Sequence, residues 1–158
     1  MKGVIFTDNG KNSYGELIVR VTSGLGVLPV ENARIYVKEY GPAQNGSRLI
    51  YTLTTDESGA SPAVILPTPS REESLTPNST TLPYAEYVTT VVKEGYRTVE
   101  NIGIPLFEGI RSVQTVDLVP LTEEEDLNGG SELTTYYENN GYLDLRGNVY
   151  TDRNGGEQ

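Results

Sequence analysis

Hydrophobic and polar residues alternate in short runs along residues 15–120, interrupted by Gly, Pro, Asn and Asp. Val, Ile, Leu, Thr and Tyr recur with a period near two in Glu16–Val21, Ala33–Glu39, Leu49–Thr54, Ala63–Leu66, Tyr87–Val92, Thr98–Ile104 and Ser112–Leu118. Successive side chains of a strand point to opposite faces, so this period marks strands with one face buried. Seven such runs at regular spacing predict an all-β fold, a small β-sandwich over residues 15–120. Leu17, Val19 and Val21 should face the core, with Ile18 and Arg20 outside; Ala33, Ile35 and Val37 should do the same opposite Arg34, Tyr36 and Lys38. The Asn45-Gly46 pair predicts a hairpin that joins Ala33–Glu39 to Leu49–Thr54 antiparallel. Ala63–Leu66 is apolar throughout, as expected of a strand covered on both faces or lying deep in the core.

The flanks read differently. Residues 1–14 form an N-terminal arm whose hydrophobic content is Val4, Ile5 and Phe6. Residues 121–158 form an acidic, Gly/Asn-rich tail, polar enough to be mobile or ordered by a partner, with one further strand expected over 142–150. Thr122 caps Glu123-Glu124-Glu125-Asp126, at most one helical turn before Gly129-Gly130. Residues 24–30 read as a turn-rich link. Residues 67–83 contain four prolines and make a long loop of the kind that carries function.

Composition narrows the chemistry. The 158 residues include no Cys, His or Trp. The usual zinc ligands are therefore missing, as are the commonest general base and the His-dependent triads. Ser70, Ser74 and Ser79 lie on the long loop with nothing beside them to activate a hydroxyl. Glu72-Glu73 reads as solvated charge rather than an acid–base pair. No enzymatic activity and no cofactor are expected. Acid–Gly clusters at 7–10, 55–59, 123–130 and 151–155 lack the alternating spacing of a calcium loop and read as turns.

The net charge of −10 divides unevenly: ten Lys/Arg against thirteen Asp/Glu in residues 1–120, and two against nine in 121–158. Such a chain lacks the basic footprint of a nucleic-acid binder. No apolar run approaches the roughly 18 residues of a membrane span, and Met1–Asp8 offers none suited to a signal peptide. A soluble chain without membrane insertion is the expectation.

Several segments resemble a known family. Gly15–Val21, then Leu28-Pro29-Val30-Glu31-Asn32-Ala33-Arg34-Ile35-Tyr36-Val37, is similar to the opening of carboxypeptidase regulatory-like, transthyretin-like (prealbumin-like) sandwich modules, where a P-x-x-x-A-x-V-x-V segment follows the first strand. Leu53–Ala60, Lys93-Glu94-Gly95-Tyr96 and Val113–Pro120 continue the likeness over about two thirds of the chain. More narrowly, Pro83-Tyr84-Ala85-Glu86-Tyr87 after the Pro-rich loop resembles modules beside clostridial spore-cortex-lytic and peptidoglycan-binding proteins. The resemblance implies a seven-stranded antiparallel Greek-key sandwich of transthyretin type. It also implies a structural or binding module, although no hydrolase segment accompanies it. Related pilus sandwiches form Lys–Asn crosslinks, but here the first strand carries Arg20 and the last has no Asn. Lys38 and Asn101 sit on other elements, so Lys38 is expected as an ordinary surface lysine.

Eleven tyrosines against two phenylalanines point to contact surfaces, because the ring packs while the hydroxyl stays wet. Tyr84, Tyr87 and Tyr96 near the long loop are the candidate contact surface for a protein or glycan. Lys2–Asp8 echoes Arg146–Asp152, which makes Val4, Ile5, Phe6, Val149 and Tyr150 candidates for strand addition to a neighbour. The expected function is a non-catalytic structural or binding module of a bacterial or phage surface structure, with a protein partner or self-assembly. Alternatives are a cell-wall targeting module of a peptidoglycan hydrolase system and a phage tail or contractile-particle subunit.

Overall fold

A computed structural model describes residues 13–41, 48–80, 82–129 and 133–137. In chain order the elements are β1 (Ser13–Ser23), β2 (Leu28–Pro29), β3 (Arg34–Glu39), β4 (Arg48–Thr54), β5 (Val64–Thr68), α1 (Arg71–Ser74), β6 (Ala85–Val92), β7 (Thr98–Leu106), β8 (Arg111–Leu118), α2 (Glu123–Leu127) and β9 (Leu133–Tyr137). All seven expected runs are strands, their ends shifted by up to three residues. The Asn45-Gly46 turn lies outside the described residues, but the strands beside it do pair antiparallel.

Alternation in β1 organises the first sheet. Leu17, Val19 and Val21 are fully buried, while Tyr14, Ile18 and Arg20 face away. One edge of β1 pairs with β8 over Glu16–Ser23; the other takes β5 at its start and β2 at its end. The second sheet runs β4-β3-β6-β7-β9. Its inner face presents Ile35, Val37, Leu53, Tyr87, Val91, Val99, Ile104 and Leu106 to Leu17, Val19, Val64, Leu66, Val116 and Leu118 of the first. Fully burying an aliphatic side chain of this size stabilises by roughly 1.5–3 kcal/mol, so this layer holds the two sheets together.

In β7 the inward set shifts from Val99 and Asn101 to Ile104 and Leu106, because the β6–β7 register slips between Tyr87 and Val88. Gly103 sits there at φ +78°, a conformation that an L side chain resists, and absorbs the extra residue.

Three expectations need correction. The sandwich is mixed rather than antiparallel: β1 pairs β8 parallel and β7 pairs β9 parallel. Strand direction follows from long-range connections, which local alternation does not encode. Nine strands occur among the described residues instead of seven, because Leu28–Pro29 folds back on the end of β1 and Leu133–Tyr137 extends the second sheet. The strand expected over 142–150 lies outside the described residues. Finally, Ala63–Leu66 is not covered on both faces: Val64 and Leu66 point inward, but Ile65 is 56% exposed. Nothing stacks on that side of the first sheet among the described elements.

Candidate functional site

Both outer faces mix apolar and polar residues, and on the second sheet Leu49, Val92 and Leu133 are exposed beside Lys38, Arg34 and Thr98. Outside the second sheet, β3 presents Arg34, Tyr36 and Lys38, β6 presents Thr90, and β7 presents Thr98 and Glu100. Lys38 Nζ donates to Thr90 Oγ1 at 3.0 Å and lies 3.7 Å from Glu100 Oε2, and Thr90 Oγ1 donates to the same carboxylate. Asn101 is 2% exposed and points into the sandwich, so Lys38 and Asn101 occupy opposite faces. The lysine serves a surface polar row.

The outer face of the first sheet is mixed: Glu16, Arg20, Thr22, Arg111, Thr115 and Asp117 share it with Tyr14, Ile18, Ile65 and Val113. Ile18 stands beside Val113 across the β1–β8 pair, and Val113 is 53% exposed. Ile65 stands beside Glu16, which pairs in turn with Arg111. Arg111 Nε donates to Glu16 Oε2 at 2.6 Å. That hydrogen bond holds the Glu16 carboxyl below its ordinary range and raises Arg111. Around this pair opens a groove of about 560 Å³, with walls from Tyr14, Ile65 and Ile110 and with Gly15 in its floor. A Cβ at Gly15 would lie 2.7 Å from Phe107 O, so only glycine lets the β7–β8 turn close one end of the groove. Glu108 fixes that turn by accepting from Ser13 Oγ at 2.9 Å and from Arg71 N at 2.7 Å. Apolar walls with one charged pair at the rim suit the side chains of another surface.

The tyrosines named from the sequence do not form one surface. Tyr84 is 7% exposed, its ring 5.5 Å from that of Phe107, and Tyr87 is 4% exposed. The Tyr87 hydroxyl donates to Pro67 O, and burial, with Glu39 and Tyr51 nearby, pushes its pKa well above the ordinary range. Tyr96 is half-buried beyond the far end of β6, bridged to Pro120 and roughly 25 Å of strand from Tyr84. Alternation carries Tyr87 inward with Val91, so the hydroxyl goes to a carbonyl rather than to a partner. Val4, Ile5, Phe6, Val149 and Tyr150 lie outside the described residues.

The remaining candidates have local duties. Ser70 caps α1 by accepting from Glu72 N, with Glu72 and Glu73 in its first turn. Asp56 Oδ1 accepts from Ser58 N, Ser58 Oγ and Ala60 N, which holds the β4–β5 turn and lowers its pKa. Thr122 and Glu125 form a full capping box on α2. Among the described residues, no three acidic side chains gather where they could hold a metal ion, and no helix is long and apolar enough to cross a membrane. Sequence reasoning missed Ile65, Ile110 and Arg111. For Ile65 the available signal was an apolar residue at the outward parity of its strand.

The chain matches no protein-family model and no curated protein. Among solved structures, it is similar to catechol 1,2-dioxygenase from an Acinetobacter species at 14% identity and a TM-score of 0.48, covering 78% of this chain and 56% of the enzyme. The minor pilin of Streptococcus agalactiae is similar at 16% identity and TM-score 0.43, covering 71% and 48%. The Bacillus anthracis TIE protein is similar at 15% identity and TM-score 0.42, covering 69% of this chain and 17% of that one. The chain thus spans between 17% and 56% of the length of these proteins. With every one of these scores below 0.5, the likenesses assign neither a family nor an activity, and the structure itself establishes a mixed two-sheet β-sandwich.

Proposed function

We propose that this chain is a non-catalytic β-sandwich module that works by contact, as a structural or assembly component of a bacterial or phage surface structure. The observation that supports it is the outer face of the first sheet. Tyr14, Ile65 and Ile110 are 36–56% exposed there as walls of the groove, and Val113 is 53% exposed on the same face. Scattered exposed aliphatics are ordinary, but a contiguous set on one sheet face marks a contact site. The site contains a paired arginine and carboxylate and no activated nucleophile, which favours binding over chemistry.

The test is a double variant, Ile65→Asp with Val113→Asp, compared with the parent chain. Both positions face solvent, so thermal unfolding should move little. The parent should show either self-association by light scattering or co-sedimentation with purified peptidoglycan, and the variant should lose it. Loss of peptidoglycan sedimentation alone would favour the cell-wall targeting alternative. If parent and variant behaved identically in both assays, the proposed contact face would fall.

A further inference from the structure

The second sheet ends in a strand that is lightly held. β9 lies along the side of β7 away from β6, with Thr98 opposite Leu133 at one end and Ile102 opposite Tyr137 at the other. The pairing is parallel, slightly less stable per residue than an antiparallel one. Leu133 is 53% exposed, and Thr134, Thr135 and Tyr136 are half-buried. The hydrophobic anchor of β9 is Tyr136, which packs against the core from the position opposite Asn101. Segments with so little buried surface open before the body they lie on.

The link to β9 is suited to extension. Leu121 N donates to Gly95 O at 2.9 Å and pins the chain to the sandwich soon after β8. The eleven residues 122–132 then lead to β9, with Glu123, Glu124, Glu125, Asp126 and Glu132 among them and no Lys or Arg. α2 takes up five of these residues, buries no side chain and has no basic residue in its last turn. A helix that short is not stable alone, and acids at its C-terminal end oppose its dipole. Arg97 fastens it to the body by pairing with Glu125. With that pair open, eleven residues reach up to about 36–40 Å, and their like charges favour extended chain.

We propose that β9 is exchangeable: it leaves β7 of its own copy and pairs with β7 of a second copy, so that two chains swap this strand. The β7 edge fits a second copy's β9 because an identical strand already lies there, and the register is the same. Closed and swapped forms therefore share one interface, and concentration decides between them. A short link gives a chain's own β9 an effective concentration on the order of millimolar. Dilute chains stay closed, and copies packed side by side at comparable density exchange. The swap uses no residue of the first sheet's outer face, so it goes beyond the contact reading and does not depend on it.

The full chain has no Cys, so introduced thiols report the pairing without interference. Opposite residues on neighbouring strands lie about 4.8 Å apart, within reach of a disulfide. Thr98→Cys with Leu133→Cys in one chain should close within that chain when oxidised at about 10 µM, far below the effective concentration of its own strand. Chains carrying Thr98→Cys alone and Leu133→Cys alone are then mixed at about 1 mM and oxidised, where exchange competes. Peptide mass spectrometry should find the 98–133 linkage at least about tenfold above 98–98 and 133–133, because only exchange brings those positions together. Glu125→Gln in both chains, which releases α2, should raise the yield severalfold at about 0.1 mM. Random collision would give 98–98, 98–133 and 133–133 at about 1:2:1, and that ratio would overturn the proposal. Absence of the 98–133 linkage between chains, while the double variant closes within one, would overturn it as well. Ile65→Asp with Val113→Asp should leave the yield unchanged, so the exchange and the contact face stand or fall separately.

Discussion

Thr55 and Thr89 are both buried, at 3% and 0% exposure, and their hydroxyls have opposite fates. Thr55 Oγ1 accepts from Ala33 N at 2.9 Å and donates to Val30 O at 2.6 Å, which ties the entry to β3 against the end of β4. Replacing it with an isosteric valine strips both groups of that partner at almost constant volume. Thr55→Val should destabilise by about 2 kcal/mol, read by urea unfolding. Thr89 Oγ1 has no hydrogen-bond partner among the described residues. Thr89→Val removes a desolvated hydroxyl and should stabilise by about 1 kcal/mol, raising the unfolding midpoint by roughly 2–4 °C. Single-residue environments were partly legible in the sequence. The inward parity of Leu17, Val19, Ile35 and Val37 was plain because each has a charged neighbour, Glu16, Arg20, Arg34 and Lys38. In β6 both parities are apolar, Tyr87 and Val91 on one side and Val88 and Val92 on the other, so alternation could not say that Tyr87 is core. The exposure of Leu25 was illegible too, since a turn-rich link over 24–30 does not say which of its apolar residues face solvent.

At the scale of elements, the strands were legible and their directions were not. Alternation located β1 and β3 to β8, whereas the parallel pairing of β1 with β8 joins residues 95 apart, such as Glu16 and Arg111. Leu133-Thr134-Thr135-Tyr136-Tyr137 has a strand composition of β-branched and aromatic residues, but its polar, Gly-rich surroundings hid it. Turn chemistry was readable at 55–60, and it has a pH signature. Hydrogen bonds from Ser58 and Ala60 favour the charged form of Asp56, so its folded pKa lies below the ordinary Asp value of about 3.9. A depressed folded pKa contributes stability above the unfolded pKa and loses it as pH falls through the folded one. Asp56→Asn keeps an acceptor and removes the charge. The thermal midpoints of parent and variant should therefore differ at pH 7 and converge as pH drops below about 3.9, measured by circular dichroism. Glu16, lowered by Arg111, moves the same way, so some acid sensitivity should survive in the variant.

For the whole molecule, a net charge of −10 sets the sign of salt effects on association. Copies of the chain repel one another over about a Debye length, roughly 10 Å at 0.1 M salt. Self-association should therefore strengthen between 20 mM and 500 mM NaCl in sedimentation equilibrium, whereas binding to a basic partner would weaken over the same range. The central position of β1 also bears on synthesis. It is the first described strand of the sandwich, yet the edge that β8 covers stays open until residues 111–118 are made. At about 5–20 residues per second, the ribosome leaves that edge and its apolar face waiting for some 5–20 s. Because the groove is completed by residues from both β1 and the β7–β8 turn, it does not exist during that interval. A nascent chain therefore lacks this contact surface, which appears only once the last strand of the first sheet is in place.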